Sequence, residues 1–239
     1  MNVIITGASK GIGKAIAEAF AAQGANLFIC ARNEVTLYNT VAELQTNYPA
    51  SVVKAKAVDM AVKEEAIAFG AWVLAGVKDT PTGKPDILIN NAGTFLAGST
   101  YNEADGLLEK MMATNLYSAY HLTRALVPAM VAARQGLIVN ICSIASLQAY
   151  ANGGSYSITK FALAGFSKNL REELKPHQVK VMAVYPGAVM TDSWGDFDNS
   201  ASRIMEASDI AAMIVAATKL SPQAVVEDIV IRPLLGDLP

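Results

Sequence analysis

Thr6-Gly-Ala-Ser-Lys-Gly-Ile-Gly13 (TGASKGIG) follows the apolar run Val3-Ile4-Ile5 and leads into an alanine-rich stretch of helical character. Glycine brings backbone where a side chain would clash, and a helix N-terminus offers unpaired N–H groups and a partial positive charge to a phosphate. Two readings follow: a tight turn that needs glycine for its geometry, or the cradle of a nucleotide. In the second, Gly7 turns the chain out of the strand, Gly11 and Gly13 let helix and pyrophosphate approach, and Ser9 and Ile12 belong to the same cofactor-binding turn.

Outward from this turn the same rhythm repeats. Apolar β-type runs at 2–6, 26–31, 52–57, 86–89, 136–142, 178–184 and 228–232 alternate with helical patterns at 11–24, 34–47, 61–77, 103–132, 155–175 and 208–218. Runs read as continuously apolar imply strands covered on both faces, hence a doubly wound α/β domain with a parallel sheet of about seven strands over residues 1–239. Pro128 is expected to kink or end the fourth helix early. The polar, irregular segment 188–203 follows the sixth strand, where loops bind ligands in such sheets, and reads as a substrate lid.

Composition narrows the partners. A net charge of -2 with 17% charged residues gives no basic footprint for nucleic acid. Cys30 and Cys142 sit in apolar runs and read as buried, reduced thiols; the longest apolar stretch, 66–77, is too short for a membrane span. A cytoplasmic protein with small-molecule partners is expected. His121 and His177 are isolated and no Cys/His cluster suggests a metal.

The T-G-x-x-x-G-x-G spacing resembles the short-chain dehydrogenase/reductase family, and the resemblance extends from the glycine turn to the last strand. It implies a Rossmann-type fold and a nicotinamide cofactor. NAD-selecting relatives carry a carboxylate at the end of the second strand; here Ala31 and then Arg32 stand there, with Lys10 inside the turn. A guanidinium and an ammonium can hold a 2'-phosphate, so NADP(H) is expected. By the same resemblance Asp59 contacts adenine, Met60 supplies backbone contacts, Asn91, Ala92 and Gly93 of the NNAG turn flank the cofactor, and Pro186-Gly187-Ala188-Val189-Met190-Thr191 packs on nicotinamide. Pro186, Gly187, Val189 and Thr191 are its expected contacts.

Tyr156 and Lys160, four apart in SYSITK, project from one helix face, where the ammonium is expected to lower the phenol's pKa and make it a proton donor and acceptor. Both are also expected at the cofactor. Ser143, 13 residues earlier and just after the fifth strand, should emerge at the same sheet edge and polarise a carbonyl; Ser146 is a lesser candidate. Asn115 sits mid-helix against its propensity, and the resemblance gives it a water linking the lysine to solvent.

The expected reaction is hydride exchange between NADP(H) and a small carbonyl or alcohol substrate. Trp194 and Phe197 are candidates to stack on it. The lid and the ending VVEDIVIRPLLGDLP are similar to bacterial sepiapterin-reductase-like and diketone-reducing members. A 3-oxoacyl-carrier-protein reductase and a non-catalytic NADP-binding sensor remain alternatives. The resemblance also implies a homodimer or homotetramer packed through 103–132 and 155–175.

Overall fold

A computed structural model describes residues 1–191 and 194–236. Seven parallel strands form one sheet: β1 (Asn2–Thr6), β2 (Asn26–Ala31), β3 (Val53–Ala57), β4 (Ile87–Asn90), β5 (Gly136–Ile141), β6 (Val179–Pro186) and β7 (Asp228–Ile231), in the order β3-β2-β1-β4-β5-β6-β7. Strand order reverses between β1 and β4, so the loops leaving their carboxyl ends diverge and open a crevice.

Helices α1 (Gly11–Ala21), α2 (Glu34–Asn47) and α7 (Ala207–Thr218) cover one face. The other face carries α3 (Lys63–Val77), α5 (Ser118–Ala133) and α6 (Gly154–Leu174), with α4 (Leu107–Met112) packed against α6. Central strands are buried on both sides, as continuous apolar runs require: every residue of β1 and β4 is buried. The edge strand β3 departs from that expectation. Its sequence VKAKA alternates and its lysines are exposed, because one flank has no neighbouring strand and less helix above it.

The expected helix 103–132 is three pieces. Residues 103–106 are not helical, α4 is short, and a π turn over Ala113–Tyr117 precedes α5. The helix does not end at Pro128; it runs on to Ala133, where Arg134 adopts a left-handed conformation (φ 48°). Its buried face of Leu122, Leu126 and Met130 against the sheet and α3 outweighs the one backbone bond the proline forfeits.

Candidate active site

The glycine turn joins β1 to α1 through three close approaches. Gly7 has φ 65°, and a Cβ on Gly13 would lie 2.3 Å from the Gly7 carbonyl oxygen and 2.4 Å from Asn91 Nδ2, so no larger residue fits. The N-cap residue of α1, Lys10, is extended and makes no side-chain cap, and the first turn holds no acidic residue. The helix's own first turn therefore offers its N–H groups no side-chain partner, the condition under which a helix N-terminus takes an anion.

Asn91 braces this turn from β4. Its Nδ2 donates to the Thr6 carbonyl at 2.9 Å and to the Gly7 carbonyl at 3.0 Å, while Thr6 Oγ1 accepts from the N–H groups of Asn91 and Ala92 at 3.0 and 2.9 Å. Thr191 comes from the other side, its Cγ2 at 3.1 Å from where a Gly11 Cβ would stand. The loops after β1, β4 and β6 therefore meet at one place.

Between them lies a cleft of about 760 Å³. Ile12, Asn91, Gly93, Ser143, Tyr156, Lys160, Pro186, Gly187, Val189, Thr191 and Trp194 all line it. Of the other expected residues, Lys10 and Arg32 are exposed beyond the carboxyl ends of β1 and β2, outside the cleft. Asp59 is half-buried, its Oδ1 accepting from Ala61 N–H at 3.0 Å; Met60 is buried in the core. Val189 already gives its carbonyl to the Trp194 indole N–H at 2.9 Å. Phe197 does not line the cleft; its ring packs 5.4 Å from that of Trp194. Of the lid, Asp192 and Ser193 lie outside the described residues.

Ser143 and Ser146 form a reciprocal cap. Ser143 Oγ accepts from Ala145 N–H at 3.1 Å, and Ser146 Oγ accepts from Ser143 N–H at 3.2 Å. This turns Ser146 inward, buried and away from the cleft, while Ser143 also hydrogen-bonds Tyr156. The expected depression of the phenol by Lys160 is not what the structure gives. Tyr156 is pushed above its ordinary range by burial, opposed by the Ser143 hydrogen bond. The reason is geometric: Lys160 Nζ lies 5.7 Å from the Tyr156 ring centroid and donates to the Ile141 carbonyl at 2.8 Å. The lysine itself moves more plainly. Burial lowers it from 10.5 to about 8, with Cys142 opposing.

Asn115 lies in the π turn, buried, with its side chain spent on the protein. Nδ2 donates to the Thr94 carbonyl at 3.0 Å and to Thr159 Oγ1 at 2.9 Å, and Oδ1 accepts from Thr94 N–H at 2.7 Å. Thr159 in turn donates to the Tyr156 carbonyl at 2.7 Å, so Asn115 ties the loop after β4 to the turn of α6 that bears the phenol.

Sequence reading missed part of the wall. Phe95, whose ring stands edge-on to Tyr156 at 5.0 Å, lines the cleft with Thr94, Gln148, Tyr150 and Asn152. The signal available was position: aromatic and amide residues between Ser143 and Tyr156 cannot leave the carboxyl edge of the sheet. Among the described residues no group of three His, Cys, Asp or Glu side chains could hold a metal, and no helix is long and apolar enough to cross a membrane.

The family model for short chain dehydrogenases matches residues 1–201. An uncharacterized oxidoreductase of Staphylococcus saprophyticus is 31% identical over 97% of this chain and 96% of its own length. A Streptomyces violaceoruber protein named as a ketoacyl reductase of the granaticin polyketide synthase is 38% identical over 79% of this chain and 67% of its own. The alcohol dehydrogenase of Thermococcus sibiricus, solved with 5-hydroxy-NADP, superimposes with a TM-score of 0.90 at 25% identity, covering 100% of this chain and 98% of that one.

Proposed function

The chain belongs to the short-chain dehydrogenase/reductase family, and on that premise we propose that it is an NADP(H)-dependent oxidoreductase reducing a small ketone, diketone or flat pterin-like carbonyl. One observation carries the reading: Ser143, Tyr156 and Lys160 face a single cleft at the carboxyl edge of the sheet beside the glycine turn, which is far from them in sequence.

The residues fit the cofactor. The uncapped N-terminus of α1 suits its pyrophosphate, and Ala31 followed by Arg32, with Lys10 nearby, suits a 2'-phosphate and offers no carboxylate to repel it. Asp59 and Met60 would border adenine, Asn91, Ala92 and Gly93 would flank the cofactor, and Pro186, Gly187, Val189 and Thr191 would border nicotinamide. The complex of the Thermococcus sibiricus relative with an NADP derivative supports the same choice. When bound, NADPH supplies hydride to a carbonyl carbon.

The protein's part is protonic and electrostatic. Ser143 donates a hydrogen bond to the carbonyl oxygen as it gains charge, and Tyr156 delivers the proton to that oxygen. Lys160, buried at the inner wall, holds the nicotinamide ribose and places a positive charge beside the phenol. Asn115, whose amide is engaged by Thr94 and Thr159, meets Lys160 beside Gly93 and orders the relay that returns a proton through that lysine. The 188–203 segment closes over substrate as a lid, with Trp194 against its flat face and Phe197 supporting Trp194.

Exposed apolar side chains on α5 and α6, including Tyr120, Ile158 and Phe161, suit burial between subunits of a homodimer or homotetramer. Two buried free thiols suit a cytoplasmic setting. A second reading, a 3-oxoacyl-carrier-protein reductase, draws on the Streptomyces violaceoruber relative; the exposed Asp196 and Asp198 of the lid disfavour an acidic carrier.

The test is loss of NADPH absorbance with a panel of aldehydes, ketones, diketones, pterins and 3-oxoacyl thioesters, run beside NADH. Turnover of the first four classes with NADPH preferred supports the proposal. Turnover confined to acyl thioesters would favour the second reading, and tight NADPH binding with no turnover would make the protein a sensor.

A further inference from the structure

The first turn of α6 carries Tyr156, yet its own sequence gives it no cap. Gly153 is the N-cap, no side chain caps it, and the first turn contains no acidic residue. A helix start built on Gly153-Gly154 with unpaired N–H groups should fray. A carboxylate 52 residues upstream fills the gap. Ser155 N–H donates to Glu103 Oε2 at 3.3 Å, and the wholly buried Ser155 hydroxyl donates to Glu103 Oε1.

The seat for that carboxylate is shaped by two glycines. Gly154 has φ 37°, and a Cβ there would lie 2.4 Å from the Gly98 carbonyl oxygen and 2.7 Å from Glu103 Oε2; a Cβ on Gly98 would meet the same oxygen at 3.0 Å. Gly98 N–H donates to the Asn152 carbonyl at 3.2 Å, Ser99 Oγ bonds Asn152 Oδ1 at 2.9 Å, and Glu103 N–H donates to the Ser99 carbonyl at 2.9 Å. The chain from Thr94 to Glu103 is thus a strap. It is held at one end by Asn115, pinned at the other by Glu103, and rests on the Tyr156 ring through Phe95.

We propose that Glu103 is a positioning residue for Tyr156, acting through Ser155: its carboxylate fixes the first turn of α6 and with it the direction of the phenol. The proposal rests on the reductase reading for its kinetic consequences and on the fold alone for its structural ones. Removal of the carboxylate frees the strap and the turn together. A carboxamide at the same position still accepts from the Ser155 N–H and preserves the arrangement.

The experiment compares Glu103→Ala and Glu103→Gln with the parent protein by hydrogen–deuterium exchange and by steady-state kinetics. Glu103→Ala is expected to speed exchange in peptides spanning 93–103 and 150–158 by about tenfold or more, leaving β4 and β5 protected, and to lower kcat about tenfold with KM for NADPH within about twofold. Glu103→Gln is expected to recover kcat to within about threefold of the parent. The idea is overturned if Glu103→Ala exchanges like the parent, if exchange rises evenly across the chain, or if kcat and NADPH affinity fall in step. A parent protein that reduces no carbonyl would defeat the reductase reading, while the exchange comparison would still decide whether Glu103 holds the turn.

Discussion

Replacing Lys160 by methionine should abolish turnover and stabilise the protein without cofactor, and the gain should depend on pH. Lys160 is 5% exposed, and burial lowers its pKa from 10.5 to about 8. That fall is equivalent to about 3 kcal/mol set against the ammonium in the folded state. Between pH 8 and 10.5 the unfolded chain binds the proton and the folded one has released it, so stability rises with pH through this window. Below pH 8 both states are charged and the full penalty stands.

Cys30 and Cys142, raised by burial to about 12 and about 11, work in the opposite sense above their ordinary 9.0, as does Tyr156 above 10. Cys30 and Tyr156 are common to both proteins and largely cancel in the difference; Cys142, whose thiol Lys160 lowers, rises further in the variant and narrows the gap in the same direction at pH values well above its ordinary 9.0. The stability gap between Lys160→Met and parent should therefore be largest at pH 7 and shrink by about 3 kcal/mol toward pH 10.5, whatever the methionine gains in packing or loses with the Ile141 hydrogen bond. Urea denaturation at half-unit pH steps measures it. Curves that stay parallel across that range would refute the claim that this lysine is held against its charge.

Lys10→Ala with Arg32→Asp should weaken NADPH binding about tenfold or more and improve NADH binding, measured by nucleotide fluorescence; unchanged preference would mean the 2'-phosphate lies elsewhere. Gly13→Ala forces a Cβ to within 2.3 Å of the Gly7 carbonyl oxygen, so it should cost about 1–3 kcal/mol and depress NADPH affinity; a normal melting temperature would contradict the packing of the turn. Arg171, buried, donates to the carbonyls of Val181 and Glu227 and pairs with Asp228, which also accepts from Tyr185. Arg171→Met should therefore lower stability by about 2 kcal/mol or more in thermal denaturation while leaving NADPH affinity unchanged.

What the sequence made legible was local. The glycine turn, the apolar central strands and the Tyr156–Lys160 spacing each reflect contacts within a few residues or a fixed periodicity, and their positions in the fold follow. The alternation of β3 was visible too, in the lysines of VKAKA, but edge position depends on strand order, which no single strand encodes. Asn115 stood out as misplaced in a helix; the three bonds that engage its side chain in the π turn did not, because their partners Thr94 and Thr159 lie on other elements. Glu103 left no trace, since a carboxylate that caps a helix from 52 residues away looks like any solvated acid. The same holds for the direction of the Tyr156 shift: spacing brings an ammonium near the ring, while burial and the Ile141 carbonyl decide what it does there.

On the reductase proposal, the Tyr156 hydroxyl protonates a carbonyl oxygen in the cleft beside the glycine turn. A single-turnover experiment tests it directly, with saturating substrate mixed against enzyme loaded with one equivalent of NADPH and absorbance followed for the parent and for Tyr156→Phe. The parent is expected to consume one rapid equivalent of NADPH, and the variant to react slower by at least about 100-fold with NADPH affinity within about threefold. Equal bursts from both proteins would contradict it.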